Sequence, residues 1–259
     1  MDIGFKLLGQ SGCKLTFSDC VVYVDPYLSN SVEEIDRELK RLVEIPVLPE
    51  EIDDADWVLI THEHMDHCDP ETLPVLAEAS PSAKFVGPYG VLNALDQWGI
   101  DHPRLILAEE SWNSISCNIK IHAVPAAHLE VVRNEQGLLE CVGYVIDAFG
   151  TRIYIAGDTC VCEEVMATLK ELAPIHVGIL PVNERNYFKE QRGIIGNMSP
   201  REAFMLASAL DIDLVIPVHW DMFAENSLSP EEISLVYSSI APRFKLLFHP
   251  ERLRICSCA

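Results

Sequence analysis

Residues 57–69 read WVLITHEHMDHCD, in which four apolar residues run directly into His62, His64, Asp66 and His67. A short apolar run of this kind predicts a buried strand, and a buried strand that ends in a cluster of imidazoles and a carboxylate constrains what the chain can become. In α/β proteins the crevice beyond the carboxyl ends of the strands is where loops converge and ligands bind. The expectation is therefore a sheet protein whose site is assembled at strand ends.

The rest of the chain supplies such strands. KFVG (84–87), RLILA (104–108), IKIHAV (119–124), CVGYVID (141–147), RIYIA (152–156), HVGILPV (176–182) and LVIPV (214–218) are short, rich in β-branched residues and bounded by Gly, Pro or Asp. CVGYVID and RIYIA, separated by AFGT with Gly150, predict a hairpin. Helices are marked between them. SPRE (199–202) and SPEE (229–232) each put Ser at the N-cap, Pro at the first helical position and Glu at the third, a capping box. Apolar residues follow at helical spacing in both cases, and DPET (69–72) predicts a third helix start with Asp69 as its N-cap. Mixed sheets with helices outside are expected, in a single domain over residues 1–259 of α/β (α+β) class.

Four strand ends deliver ligand-type side chains: 57–60 leads to His62, 119–124 to His128, 152–156 to Asp158 and 214–218 to His219. With His64, Asp66 and His67 this makes seven nitrogen and oxygen donors, more than one ion uses and enough for two. The assignment is His62, His64 and His128 on a first metal, Asp66, His67 and His219 on a second, and Asp158 bridging them. Asp66 and Asp158 are the candidate catalytic carboxylates. The donors are imidazole and carboxylate without thiolate, which suits zinc, manganese or iron.

Composition excludes other classes. With 19 basic against 40 acidic residues the formal charge is −21, which is the wrong sign for a nucleic-acid or anionic-membrane surface. No stretch reaches the roughly 18 to 20 apolar residues of a membrane span. The N-terminus lacks the basic and apolar regions of a secretory signal, so a cytoplasmic protein is expected. The nine cysteines are then reduced thiols, and the CxC pairs Cys160/Cys162 and Cys256/Cys258 lack the CxxC spacing of redox or zinc-knuckle sites. The expected partner is an anionic small molecule, with self-association into a homo-oligomer left open.

THEHMDH, followed by His128, Gly157-Asp158 and His219, resembles the metallo-β-lactamase fold superfamily, whose pattern is HxHxDH followed by His, Asp and His. The resemblance covers essentially the whole chain. It implies a four-layer αββα sandwich, two β-sheets face to face with helices outside, and a dinuclear site at one edge. VDP (24–26), AGDT (156–159), LPVNERNYF (180–188), IGNMSPREA (195–203) and IPVHWDMF (216–223) are similar to the L-ascorbate-6-phosphate lactonase branch, cytoplasmic manganese-dependent hydrolases that open a sugar-derived lactone.

The chemistry expected of such a donor set is hydrolysis. A water shared by two divalent ions loses a proton near neutral pH and attacks a carbonyl or phosphorus, so no serine nucleophile is needed. A lactonase acting on a small sugar-acid lactone, phosphorylated in the ascorbate case, is the leading reading. A phosphodiesterase or other ester hydrolase is the alternative, and a non-catalytic metal-binding scaffold the second. For an anionic substrate, the basic stretch 183–192 offers Arg185, Tyr187, Lys189 and Arg192 as candidate contacts, Arg because it can grip phosphate bidentately. Asn183, Asn197 and Trp220 complete the candidates. His102, His122, His176 and His249 stand alone and are expected to be packed or surface residues. Asp25 is expected to be a turn residue or a carboxylate that fixes the tautomer of a ligand histidine.

Overall fold

Alternation of buried and exposed side chains builds the first sheet from the N-terminus. In the computed structural model, which describes residues 2–254, β1 (Asp2–Gly9) and β2 (Gly12–Thr16) bury Ile3, Phe5, Cys13 and Leu15 and turn Lys6 and Thr16 outward. They continue through β3 (Val21–Val24), β4 (Trp57–Leu59), β5 (Lys84–Gly87) and β6 (Leu105–Leu107). The second sheet is formed by β7 (Asn113–Ser114), β8 (Ile119–Pro125), β11 (Val142–Ala148), β12 (Thr151–Ile155), β13 (Val177–Pro181), β14 (Leu214–Val218) and β15 (Lys245–Leu246). A small ribbon, β9 (Ala127–His128) and β10 (Glu130–Val131), leaves the end of β8, and β16 (Arg252–Arg254) returns to pair with β1.

The two sheets repeat one pattern. In the order β16-β1-β2-β3-β4-β5-β6 three antiparallel pairings precede three parallel ones, and β7-β8-β11-β12-β13-β14-β15 does the same. The hairpin expected around Gly150 is β11-β12, and its two-residue loop has positive φ at both Phe149 (54°) and Gly150 (84°), as a type I′ turn requires.

Three apolar layers make this a four-layer αββα sandwich. Ile3, Phe5, Leu15, Val24, Leu59 and Val86 of the first sheet meet Ile121, Tyr144, Ile146, Ile155, Ile179 and Ile216 of the second in the central layer. On the outer face of the first sheet α2 (Leu73–Ala79) and α3 (Tyr89–Gln97) bury Leu73, Leu76, Val91 and Leu95 against Val58, Ile60 and Phe85. On the outer face of the second, α4 (Glu163–Glu171), α6 (Pro200–Ala209) and α7 (Pro230–Ile240) cover Val145, Tyr154, Leu180 and Val215. Two short helices, α1 (Ser31–Ile35) and α5 (Tyr187–Gln191), lie in the connecting loops. No helix among the described residues is long and apolar enough to cross a membrane.

The two SPxE capping boxes open α6 and α7 as the sequence predicts, with Ser199 and Ser229 each accepting from the backbone N–H three residues on. DPET opens with a turn before its helix. The regular helix starts only at Leu73, but Asp69, fully buried, caps the turn before it, its carboxylate accepting from Glu71 N and also from Ser31 Oγ and Thr72 Oγ1, and its carbonyl from Leu73 N. The strands β1, β2 and β3, and the short β7, β9, β10, β15 and β16, are additions to those read from the sequence. Cys256 and Cys258 lie outside the described residues.

Candidate metal centre

The strand ends are bent sharply by residues in the left-handed region. Asp25 (φ 42°) follows β3, Gly157 (φ 61°) follows β12, His219 (φ 62°) follows β14, and Gln10 (φ 53°) sits in the turn between β1 and β2. For non-glycine residues each such conformation costs on the order of 1–2 kcal/mol, and such strain is tolerated where packing and hydrogen bonds over-determine it. At Gly157 no side chain fits. A Cβ there would lie 2.8 Å from Thr61 Cβ and 3.0 Å from the Val142 carbonyl oxygen.

These bends bring the seven donors of the sequence into one cluster. The ligand atoms of His62, His64 and His128 lie within 4.8 Å of one another, as do those of Asp66, His67 and His219, and those of His62, His67 and Asp158. The groups are contiguous, because His62 and His67 belong to two groups each. Asp158 points one oxygen at His67 Nε2 and the other at His219 Nε2, each 3.2 Å away. Asp66 Oδ2 stands 3.5 Å from His219 Nε2 and 3.8 Å from His67 Nε2. The sheets contribute unequally: residues 62–67 follow β4 of the first, while His128, Asp158 and His219 come from the second.

A buried hydrogen-bond relay sets the imidazoles. Asp25, fully buried, accepts from Thr61 N at 2.8 Å, from Thr61 Oγ1 at 2.7 Å and from His67 Nδ1 at 2.8 Å. Having donated its proton to Asp25, the Thr61 hydroxyl is left to accept from His62 Nδ1, 3.0 Å away. One carboxylate therefore holds the Nδ1–H form of two histidines and leaves both Nε2 lone pairs aimed at the site. Both Nε2 atoms are buried without a hydrogen-bond partner, and so is Asp158 Oδ1. Buried polar atoms are ordinarily satisfied, so this set of orphaned acceptors fits a divalent cation.

Electrostatics agree. Burial, and then the neighbouring imidazoles, hold His62 well below its ordinary value, and burial lowers His128. Burial also opposes charge on His67 and His219, but Asp158 and Asp66, joined at His67 by Asp25, outweigh it. His67 is pushed well above its usual range and His219 up to about 9. Against their own burial, Asp158 and Asp66 are drawn down by the same two imidazoles. In the metal-free protein the pull is therefore toward second protons on His67 and His219, at the Nε2 positions that face Asp158, and a cation would supply that positive charge in their place.

Residues 21–220 match the family described as the beta-lactamase superfamily domain. The chain belongs to that family. A metal-dependent hydrolase of Thermococcus onnurineus is 28% identical over 229 residues, covering 88% of each chain. A probable L-ascorbate-6-phosphate lactonase, UlaG, of Escherichia fergusonii is 26% identical over 215 residues; the match takes in 78% of this chain and only 59% of that protein. Igni18, a metallo hydrolase from Ignicoccus hospitalis, has the same fold, with a TM-score of 0.69 at 21% identity and 98% coverage of both chains. At the level of the superfamily the protein is a metal-dependent hydrolase.

Beside the donor cluster of this superfamily member lies a cavity of about 180 Å3, bordered by His64, Asp66, Asp158 and His219 and by Val32, Leu39, Ile194, Ile195, Phe223 and Asn226. The basic residues expected to grip a substrate do not line it. Arg192 pairs with Glu38 and Glu225, Arg185 lies 3.8 Å from Glu190, and Tyr187 is largely exposed. Lys189 donates to the carbonyls of Asn183 and Glu184. Trp220 turns away from the cavity, donating to Pro217 O and packing on Phe248. Asn183 and Asn197 are buried, and Asn183 Nδ2 donates to Asn226 Oδ1. His102, His122, His176 and His249 are all outside the cluster.

Gln10 and Asn226 are site residues that sequence reasoning passes over. Gln10 Nε2 donates to Asp66 Oδ2 at 2.5 Å and approaches His219 Nε2 at 3.0 Å, while the backbone carbonyl of Gln10 accepts from His219 N. The GQSG turn carries no sign of this, beyond glycines that permit a tight bend.

Proposed function

We propose that the protein hydrolyses a small lactone or a related carboxylic ester with two divalent ions, manganese or zinc, held by His62, His64 and His128 and by Asp66, His67 and His219. Asp158 lies between them. The observation that carries this reading is the contiguity of three donor groups through His62 and His67. When bound, the ions would supply Lewis acidity toward the substrate carbonyl and acidify water. Asp25 and Thr61 hold two imidazoles in the ligating tautomer, and Gln10 steadies Asp66 with its side-chain amide and His219 with its backbone carbonyl. Asp66, the part-exposed carboxylate at the cavity, is kept ionised by His67 and His219 and so would serve as a ligand facing the substrate. Asn226 on the cavity wall, its Oδ1 already engaged by Asn183, has its amide N–H groups left to orient a substrate oxygen.

Likeness over most of the chain to a probable lactonase supports the ester and lactone class. The same donor set can act on a phosphodiester, which is the competing reading. Manganese- and zinc-loaded protein should therefore be assayed on a panel of lactones and on an aryl phosphodiester. His64→Ala should lose metal at the first group and at least a hundredfold in kcat/KM; a variant with normal turnover would refute the assignment.

A further inference from the structure

We infer that the substrate is uncharged and apolar on the side remote from the bond that is cleaved, so that the enzyme discriminates against phosphorylated lactones. The inference rests on the hydrolytic reading above and refines its substrate class.

The cavity walls carry the argument. Apart from the ligand residues, Gly193 and Asn226, its lining consists of Val32, Leu39, Ile194, Ile195 and Phe223. Phe223, Val32 and Leu39 belong to a separate apolar cluster with Tyr27 and Met222, so this wall is a packed surface and not a chance exposure of aliphatic side chains. Among the described residues no Lys or Arg borders the cavity.

Three basic side chains of the neighbouring segments, Arg41, Arg192 and Lys189, are committed elsewhere. Arg41 spends its donors on the carbonyls of Val43, Tyr27, Ser29 and Leu8. Arg192 holds Glu38 and Glu225, and Lys189 holds two carbonyls. The glutamates that Arg192 joins lie beside Leu39 and Asn226, while Arg192 itself adjoins the 193–195 wall, so its ion pairs strap together the three segments that close the cavity. A phosphate placed against these walls would surrender hydration and find no cation to replace it, whereas an alkyl group would bury apolar surface. Asn226 adds a single neutral donor.

Three γ-lactams, unreactive mimics of a lactone, would test this if alike except for the remote substituent: propyl, hydroxymethyl or phosphonooxymethyl. Calorimetry on the metal-loaded protein should find the propyl lactam bound at least tenfold more tightly than the phosphorylated one. Leu39→Asp and Ile194→Asn, both on the cavity wall, should each reduce that preference at least threefold with metal content unchanged. Equal or tighter binding of the phosphorylated lactam, binding of none of the three, or an unaltered preference in both variants would overturn the inference. Turnover of the matching lactones reads separately. A protein that ranks the lactams as expected and opens no lactone would refute the hydrolytic assignment while leaving the selectivity of the cavity in place.

Discussion

Asp25→Asn isolates the part of the site that touches no substrate. Asparagine matches aspartate in size and tolerates the left-handed backbone of position 25, so the change acts through charge and proton direction. Its carbonyl can still accept from Thr61 N, but its NH2 then faces His67 Nδ1 and Thr61 Oγ1, which both donate in the native protein at 2.8 and 2.7 Å. His67 must shift its proton to Nε2 to accept from the new amide. Thr61, now accepting from that amide, turns its own proton toward His62 Nδ1, 3.0 Å away, and His62 shifts too. Both lone pairs aimed at the cluster are lost through one substitution. Removing one outer-shell partner typically costs ten- to a hundredfold in metal affinity. With two imidazoles reversed the upper figure applies, about a hundredfold or ~2.7 kcal/mol. Competition against a chromophoric chelator would measure it, with circular dichroism confirming the fold. Thr61→Val, which severs only the His62 branch, should lose about tenfold. Retention of affinity within threefold by Asp25→Asn would refute the relay.

Four further outcomes follow from the same geometry. Chelation should lower the melting temperature by about 5–11 °C relative to protein holding metal at a hundred times its Kd, since that linkage is worth ~2.7 kcal/mol and each kcal/mol moves a domain of this size by about 2–4 °C; scanning calorimetry that finds no shift would contradict a structural metal contribution. In the metal-free protein His219 is raised from 6.5 to about 9, Asp158 and Asp66 outweighing its burial. The stability it gives is complete below about pH 6.5 and lost as pH rises through about 9, so the melting temperature of chelated protein should fall over that window and metal uptake at pH 7.5 should release protons, read by calorimetry in buffers of different ionisation heat. Arg192→Ala breaks exposed, solvent-screened ion pairs, so the urea midpoint should barely move while KM rises roughly threefold or more; a normal KM would deny the strap any part in shaping the cavity. Gly157→Ala combines left-handed strain with a Cβ 2.8 Å from Thr61, and should cost about 2–5 kcal/mol in a urea titration.

The donor cluster was legible because its residue types are dense and sit where apolar runs stop. His62, His64, Asp66 and His67 share one loop, and His128, Asp158 and His219 each follow a strand that periodicity reveals. The capping boxes were legible for a similar reason: Ser199 with Glu202 and Ser229 with Glu232 close a hydrogen-bonded ring within four residues. What escaped depends on partners remote in sequence. Gln10 reaches His219 across 209 positions, and nothing in GQSG foretells it. Arg192 reads as a free cation in its own decapeptide, yet it finds Glu38, 154 positions away, and so never faces a ligand. Asp69 has the local form of an N-cap and does accept from Glu71 N, but its bond from Ser31, 38 positions away, could not be read from DPET.

The division of the site between the sheets ties its chemistry to the central core. Residues 62–67 hang from the first sheet and His128, Asp158 and His219 from the second, so the distance between the donor groups is set by how the sheets pack. Tyr144, in the second sheet, donates across that layer to the carbonyl of Ile60 at 2.8 Å, two residues before His62. Thr61 O in turn accepts from Val142 N in the strand that bears Tyr144. On the far side, the Thr159 hydroxyl accepts from Ala127 N and Cys160 N donates to Ala127 O, which fixes His128 beside Asp158. The donors are held by backbone from rigid elements and by neighbours that are themselves buried. This accounts for how three non-glycine residues can remain in strained left-handed conformations at the strand ends. The packing that over-determines them is the same packing that sets the spacing of the metal ligands.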